Sequence, residues 1–292
     1  MGHFHPPTRS QKLNVALYGP SQAGKTYTAL WLATQLADRV AVIDTEHGSA
    51  AHYRDLFSFE AAPLTAPFAP ETYQALIEEA AAAGFGAVVI DSLSPEWDGP
   101  GGCLALADEA ARGMRSANTY VAWRTVTPRH EALLGVINRV PCHIVATYRT
   151  KPQFEQATEN GKKVIRPLGE LPITREGFFY EYDIALSLNA GHQATVQKTR
   201  MAWLPVGTVW PVDAGLIQRL RAEAHGEPVL LTDAQKAALW RYAKTQGWDL
   251  PALQTAASGL LGRAADDLGH LTAGEAARLL LVWAPTVSAA PA

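Results

Sequence analysis

The residues with the clearest chemical use are a glycine-rich run that ends in a lysine and a threonine. Residues 19–26 read G-x-x-x-x-G-K-T, a pattern typical of loops that bind phosphates through backbone amides. Lys25 would add a positive charge at the β- and γ-phosphates, and the Thr26 hydroxyl would bind Mg²⁺. The residues predicted to contact the nucleotide are Gly19, Ser21, Gln22, Ala23, Gly24, Lys25, Thr26 and Tyr27. We therefore predict a site for ATP and Mg²⁺; the alternative is a chance glycine turn before a helix.

Two carboxylates follow apolar runs further along the chain. Asp91 ends the run Ala87 to Ile90, and Glu46 follows residues 39–43 and the polar segment after them. Asp91 is predicted to hold Mg²⁺ together with Thr26. Glu46 is predicted to lie near the γ-phosphate, because ligands bind at the carboxyl ends of parallel strands. A third strand, residues 142–146, ends at Thr147 to Arg149, where a polar group could sense the γ-phosphate or simply end the strand.

The elements around these residues predict an α/β protein. An apolar run, Leu13 to Tyr18, enters the loop, and residues 28–36 have helical periodicity. Because further apolar strands alternate with helical stretches, we predict a doubly wound, mainly parallel sheet.

Composition sets broad limits on the class of protein. The 292 residues carry a net charge of −3 and are 48% hydrophobic, which favours a globular protein without a global nucleic-acid signature. Neither Cys103 nor Cys142 has metal-ligand spacing, and both are expected to be reduced, buried thiols. Since there is no membrane-length apolar run and no signal peptide, we expect a cytoplasmic protein without a membrane partner.

Two hairpins are predicted in the second half of the chain. Asn160-Gly161 lies between strand-like segments of residues 150–165, a strong hairpin signal. The basic residues of this arm, Lys151, Lys162, Lys163 and Arg166, are candidates for binding DNA, although a merely solvated arm is the alternative. The second hairpin joins residues 178–188 to residues 193–198 and ends in Lys198-Thr199-Arg200.

The chain divides into five predicted parts. Residues 1–11 form a flexible tail, residues 12–220 the nucleotide-binding domain, and residues 221–230 a linker with Gly226 and Pro228. A small domain of about three helices follows over residues 231–284, and residues 285–292 form a second flexible tail.

Three segments, taken in order, resemble the ATPase core of the RecA recombinases. They are residues 19–26, Val42 to His47 and Val89 to Ser92. The resemblance implies that Glu46 positions the attacking water and that Tyr53 stacks on adenine. It also implies that Lys198 and Arg200 reach into the site of a neighbouring subunit. Catalysis would then rest on Lys25, Glu46, Asp91, Lys198 and Arg200.

More narrowly, the chain resembles the short phage-type RecA-like ATPases associated with single-strand annealing and recombination. The segments that carry this likeness are Ile90 to Trp97, Trp123 before Thr127-Pro128, and Ala146 to Lys151. The likeness covers about residues 12–210. Two departures from RecA are expected: a polymerisation helix is not expected before the first strand, because the segment there is short, and the predicted hairpin stands in place of a glycine-rich DNA loop.

The resemblance implies a Mg²⁺-dependent, DNA-stimulated ATPase that acts on single-stranded DNA in recombination or strand annealing. A homo-oligomer, either a ring or a filament, is expected, and a single-strand binding protein is a further expected partner. Two alternatives stay open: a DNA-organising assembly protein gated by ATP with little turnover, and a small-molecule kinase.

Overall fold

The computed structural model describes residues 12–114, 119–159 and 162–283. The strands of this part of the chain are β1 (Asn14–Tyr18), β2 (Val40–Asp44), β3 (Glu60–Pro63), β4 (Ala87–Asp91), β5 (His143–Tyr148), β6 (Thr150–Glu159), β7 (Lys162–Pro172), β8 (Ile184–Leu188), β9 (Gln193–Lys198) and β10 (Val209–Pro211). Among the described residues, eight strands form one sheet in the order β10-β9-β8-β1-β5-β4-β2-β3, and β6 and β7 form a separate pair. The six strands from β8 to β3 are parallel to their neighbours, whereas β9 and β10 are antiparallel.

The α-helices of the described residues flank this sheet and follow it. They are α1 (Lys25–Leu36), α2 (Pro70–Ala82), α3 (Ser94–Asp98), α4 (Cys103–Arg112), α5 (Thr119–Arg139), α6 (Ala214–His225), α7 (Asp233–Thr245), α8 (Leu250–Leu261) and α9 (Ala273–Trp283). In this part of the chain, no helix combines the length and apolarity needed to cross a membrane.

Helices cover both faces of the sheet. Because successive strand residues point to opposite faces, neighbouring residues of one strand pack against different helices. Val15 and Leu17 of β1 belong to the hydrophobic cluster that includes residues of α1 and α6. Ala16 and Tyr18 of the same strand belong to the cluster that includes residues of α2 and α5. This arrangement confirms the predicted α/β fold with a doubly wound, mainly parallel sheet.

The C-terminal helices α7, α8 and α9 enclose a cluster of their own around Leu239, Leu253 and Leu279. Residues 221–225, which the sequence assigned to a linker, belong instead to α6. Ala224 is buried against the sheet cluster, so packing extends the helix to His225, where Gly226 ends it at a φ of 70°.

Two other segments differ from expectation for reasons of packing. The predicted strand at residues 178–188 begins only at Ile184, because Phe178 to Glu181 form a 3₁₀ helix whose Phe178 ring packs against Tyr148. Helix α5 continues through Pro128, although proline is normally confined to the first turn of a helix. Its first half carries Trp123 and Val126, which pack against α4, and this contact favours the longer helix.

Candidate functional site

The glycine-rich loop connects β1 to α1 at the carboxyl end of the parallel strands. A side chain at Gly19 would bring a Cβ to 2.2 Å from the carbonyl oxygen of Leu188. Gly24 precedes the helix with a φ of 83°, a conformation that L side chains rarely adopt. The loop therefore requires glycine at both positions, and its backbone forms a cradle at the N-terminus of α1 that fits a phosphate group.

Lys25 folds back over this cradle. Its Nζ donates hydrogen bonds to the carbonyl oxygens of Gly19, at 2.9 Å, and Pro20, at 2.8 Å. Burial lowers the pKa of Lys25, although the nearby carboxylates of Asp91 and Glu46 oppose this shift. The ammonium group is thus held by carbonyl groups that a phosphate anion could replace.

Two hydroxyl groups donate to the carboxylate of Asp91. Thr26 Oγ1 donates to one carboxylate oxygen at 2.7 Å, and Thr147 Oγ1 donates to the other at 2.6 Å. Asp91 is buried at the end of β4, and burial raises its pKa. A carboxylate and a hydroxyl at this separation are the hard oxygen ligands that Mg²⁺ prefers, so the predicted pair of Thr26 and Asp91 fits that ion.

Glu46 is bound on both oxygens by a residue that the sequence did not assign to the site. Arg149 Nε and Nη2 each donate to one oxygen of Glu46 at 2.8 Å, and Ser92 Oγ donates to the Oε1 atom at 3.0 Å. The backbone amide of Glu46 donates to Asp44 Oδ1 at 2.7 Å, which fixes the chain after β2. Burial raises the pKa of Glu46, but the hydrogen bonds and charge of Arg149 outweigh it, so the net shift is downward.

The loop, the two carboxylates and Arg149 line one cavity of about 430 Å³. Its lining residues are Gly19, Ser21, Gln22, Gly24, Lys25, Thr26, Glu46, Ser49, Tyr53, Asp91, Arg149 and Thr150. Ala23 and Tyr27, which were predicted to contact the nucleotide, do not line this cavity. Ala23 is buried beneath the loop, and Tyr27 is exposed on α1.

Tyr53 lies at the edge of this cavity within an aromatic cluster. It ends a 3₁₀ helix, Ser49–Tyr53, and its ring centroid is 5.9 Å from that of Tyr27. Tyr27 also contacts Trp31 and Phe57 edge-on. The ring of Tyr53 is therefore in edge-on contact with Tyr27, which links it to the other aromatic rings. An aromatic side chain at a cavity edge suits stacking on a flat ligand.

Lys198 and Arg200, which end the second predicted hairpin, do not lie on one strand, because β9 ends at Lys198. Lys198 pairs with Ala185 at the amino end of β8, opposite the edge that carries the phosphate loop. Its Nζ donates to the carbonyl oxygens of Tyr180 and Tyr182. Arg200 forms an exposed ion pair with Asp183, at 3.4 Å between Nη1 and Oδ1. Both cations have partners within their own chain.

The first predicted hairpin is present as the antiparallel pair β6–β7, which extends beyond residue 165 to Pro172. Lys151 and Lys163 are exposed on it. The Asn160-Gly161 turn and the side chains of Lys162 and Arg166 lie outside the described residues. The arm begins one residue after Arg149, and Thr150 lines the nucleotide cavity. The candidate DNA-binding arm is thus continuous with the candidate ATP site.

Sequence reasoning identified the strand end Thr147 to Arg149 as a place that could sense the γ-phosphate, but it did not name Arg149, Thr147 or Ser92 as site residues. Their only signal was position, since Thr147 and Arg149 follow a parallel strand where polar side chains meet a ligand. The sequence did not indicate which carboxylate each of these three residues would bind.

No curated protein matches the chain. Among solved structures, the RadB recombinase is similar with a TM-score of 0.39 and 17% sequence identity, over 68% of this chain and 84% of the RadB chain. A family model described as an AAA domain matches residues 11–204, which include the loop, both carboxylates, the β6–β7 arm and Arg200. Because this family model covers more than half of the chain, the protein belongs to the AAA domain family.

Proposed function

We propose that this protein binds and hydrolyses ATP with Mg²⁺ and acts on single-stranded DNA in recombination or strand annealing. One observation carries the proposal: Lys25, Asp91 and Glu46 lie in a single cavity at the mouth of the glycine-rich loop. A cation, a buried metal-binding carboxylate and a second carboxylate are the groups that phosphoryl transfer to water requires.

Binding of the phosphates falls to the loop amides and to Lys25. On binding, the Lys25 ammonium exchanges its hydrogen bonds with Gly19 and Pro20 for phosphate oxygens. Thr26 and Asp91 would hold Mg²⁺, which neutralises phosphate charge when bound. Tyr53 would stack on the adenine base.

Hydrolysis falls to Glu46. A water molecule attacks the γ-phosphorus, the bond to the bridging oxygen breaks to release ADP, and Glu46 accepts the water proton. Because Arg149 holds both oxygens of Glu46, the carboxylate can take up that proton only after Arg149 lets go of at least one oxygen. A γ-phosphate is the competing anion that would draw Arg149 away.

The β6–β7 arm is proposed as the DNA-binding element. Its candidate contacts are Lys151, Lys162, Lys163 and Arg166. Since the arm starts next to Arg149, a movement of Arg149 toward phosphate would be transmitted directly to the arm. This connection supports a protein in which ATP and DNA binding are coupled.

Assembly into a homo-oligomer is proposed so that Lys198 and Arg200 act on a neighbouring subunit. Arg200 is the better candidate, because its side chain is largely exposed and its pairing with Asp183 is weak in water. Lys198 is the weaker candidate, because its ammonium group would first have to give up its hydrogen bonds to the carbonyl oxygens of Tyr180 and Tyr182.

A second candidate function is an ATP-gated DNA-organising protein with little turnover. The same Arg149–Glu46 pair favours it, because a general base that is bound on both oxygens is poorly placed to accept a proton.

The deciding experiment measures ATP turnover with and without single-stranded DNA, and DNA binding in parallel. The test variant is Lys25→Ala, which should lose nucleotide binding. The matched control is Lys236→Ala, on an exposed face of α7, which should keep it. Stimulation by DNA supports the recombination proposal. Tight DNA binding with negligible turnover supports the second candidate, and turnover that ignores DNA contradicts both and leaves the kinase alternative.

A further inference from the structure

Three metal-ligating side chains meet away from the nucleotide cavity, in the interior between α3, α4 and α5. They are Glu96, Cys103 and His130, and all three are buried. His130 Nδ1 lies 3.0 Å and 3.2 Å from the two oxygens of Glu96, and Cys103 Sγ lies 3.1 Å from its Oε1 atom. The ligand-type atoms of the three residues all lie within 4.8 Å of one another.

Hydrogen bonding within the trio leaves His130 incompletely satisfied. Its Nε2 atom is buried and has no hydrogen-bond partner among the described residues. If Nδ1 carries the proton, it donates to Glu96 and the Nε2 lone pair stays unpaired. If Nε2 carries the proton, that N–H lacks an acceptor and the Nδ1 lone pair faces the carboxylate. Each neutral form costs free energy, because buried polar groups are normally paired. A cation held between Nδ1 and the carboxylate would relieve the facing lone pairs of the second form, although its Nε2–H would still lack an acceptor.

The backbone is shaped to bring these residues together. A Cβ at Gly102 would lie 2.6 Å from the carbonyl oxygens of both Pro95 and Glu96. Only glycine lets the chain turn this tightly after α3 and set Cys103, the first residue of α4, against Glu96. Trp97 closes the site by packing edge-on against His130 and stacking on Trp123.

We propose that Glu96, Cys103 and His130 bind a divalent metal ion of the Zn²⁺ type. A thiolate, an imidazole and a carboxylate are a ligand set that zinc accepts, whereas Mg²⁺ and Ca²⁺ prefer oxygen ligands alone. Metal–ligand bonds of about 2.0–2.3 Å in a tetrahedron separate the ligand atoms by roughly 3.3–3.6 Å. The two separations from Glu96, 3.0 Å to His130 Nδ1 and 3.1 Å to Cys103 Sγ, need to open by a few tenths of an ångström, and the ligand atoms of Cys103 and His130 lie within 4.8 Å of each other.

The position of this site gives the ion a structural role. Glu96 lies five residues after Asp91, and Ser94 Oγ on the same helix accepts a hydrogen bond from the Arg149 amide at 2.9 Å. An ion held by Glu96, Cys103 and His130 would tie the segment after β4 to α4 and α5, and so stabilise one wall of the nucleotide cavity. The metal site itself does not depend on the proposed function.

The test uses the full-length protein without nucleotide. It is stripped with a chelator and titrated with Co²⁺, which replaces Zn²⁺ and gives a thiolate-to-metal absorption band when cysteine binds it. We expect this band to saturate at one Co²⁺ per chain and to disappear when Zn²⁺ is added. His3 and His5 near the N-terminus could also bind Co²⁺, but they cannot produce a thiolate band.

The matched variants are Cys103→Ser and Cys142→Ser, since both cysteines are free and buried and only Cys103 is in the cluster. Cys142→Ser should keep the band. Cys103→Ser should lose it and bind Co²⁺ more than about 100-fold more weakly, because loss of an outer-shell partner alone costs about 10- to 100-fold. A wild-type protein without the band overturns the proposal, even if Cys103→Ser fails to fold. A band that survives in Cys103→Ser and is lost in Cys142→Ser overturns it as well.

Discussion

The guanidinium of Arg149 binds both carboxylate oxygens of Glu46, each at 2.8 Å, across 103 positions of the chain. The pair joins the end of β5 to the segment after β2, inside the cavity that the phosphate loop opens into. It places a cation and a candidate general base within one hydrogen-bonded unit, directly before the β6–β7 arm.

Glu46→Gln should bind ATP normally and hydrolyse it more slowly, by about 100-fold or more. The amide keeps the shape of the side chain and loses the capacity to accept a proton. Turnover at saturating ATP and the dissociation constant for ATP are measured together. Wild-type turnover in this variant would show that Glu46 merely ends a strand.

Arg149→Ala should reduce turnover by about 100-fold, since a preorganised cation in the cavity stabilises charge on the transferred phosphoryl group. The matched control is Arg263→Ala, which removes a similar bidentate pair between Arg263, in the loop after α8, and Glu275 of α9, at 2.7 and 2.6 Å. The control should leave turnover unchanged. Faster turnover in Arg149→Ala would instead show that Arg149 restrains Glu46.

The pH dependence of turnover should separate wild type from Arg149→Ala. Arg149 lowers the pKa of Glu46, so the wild-type base stays ionised well into the acid range. Without Arg149, the main effect that counteracts burial is lost, so the pKa of Glu46 rises. The acid limb of kcat/KM should therefore lie at higher pH in the variant, and identical acid limbs would mean that Glu46 is not the group that titrates.

A triple variant of Lys162, Lys163 and Arg166 to Ala should bind single-stranded DNA more weakly. Each lost phosphate contact should also flatten the slope of log K against log salt by about 0.7. The control is a triple Ala variant of Lys236, Arg241 and Lys244, exposed residues of α7 that carry the same total charge. If the two triple variants have equal affinity and equal salt slope, the DNA-binding site does not lie on the arm.

Mixing two inactive variants tests whether Arg200 acts on a neighbouring subunit. Lys25→Ala loses its own site and keeps Arg200, whereas Arg200→Ala keeps its site and lacks the cation. If Arg200 acts in trans, mixed assemblies recover part of the turnover, because a cation at the γ-phosphate is worth about 10³-fold or more in rate. If mixed assemblies form and stay inactive, Arg200 does not act on a neighbouring subunit and serves only as the ion-pair partner of Asp183.

The sequence by itself determined the local features of this protein. The G-x-x-x-x-G-K-T pattern, the strands that precede Glu46 and Asp91, and the two hairpins are each specified by residues that are close in the chain. Such features depend on backbone preferences and on short apolar periods, which a single segment contains. The α/β order of those segments then restricts the fold to a few arrangements.

Only the tertiary structure decided which distant side chains meet. The Arg149–Glu46 pair, the two threonines on Asp91, and the trio of Glu96, Cys103 and His130 join segments that no local pattern connects. Packing also overrode local rules: α5 runs through Pro128, and β9 ends before Arg200. These outcomes depend on contacts between elements, whose free energy is comparable to the local preferences and is set by the whole fold.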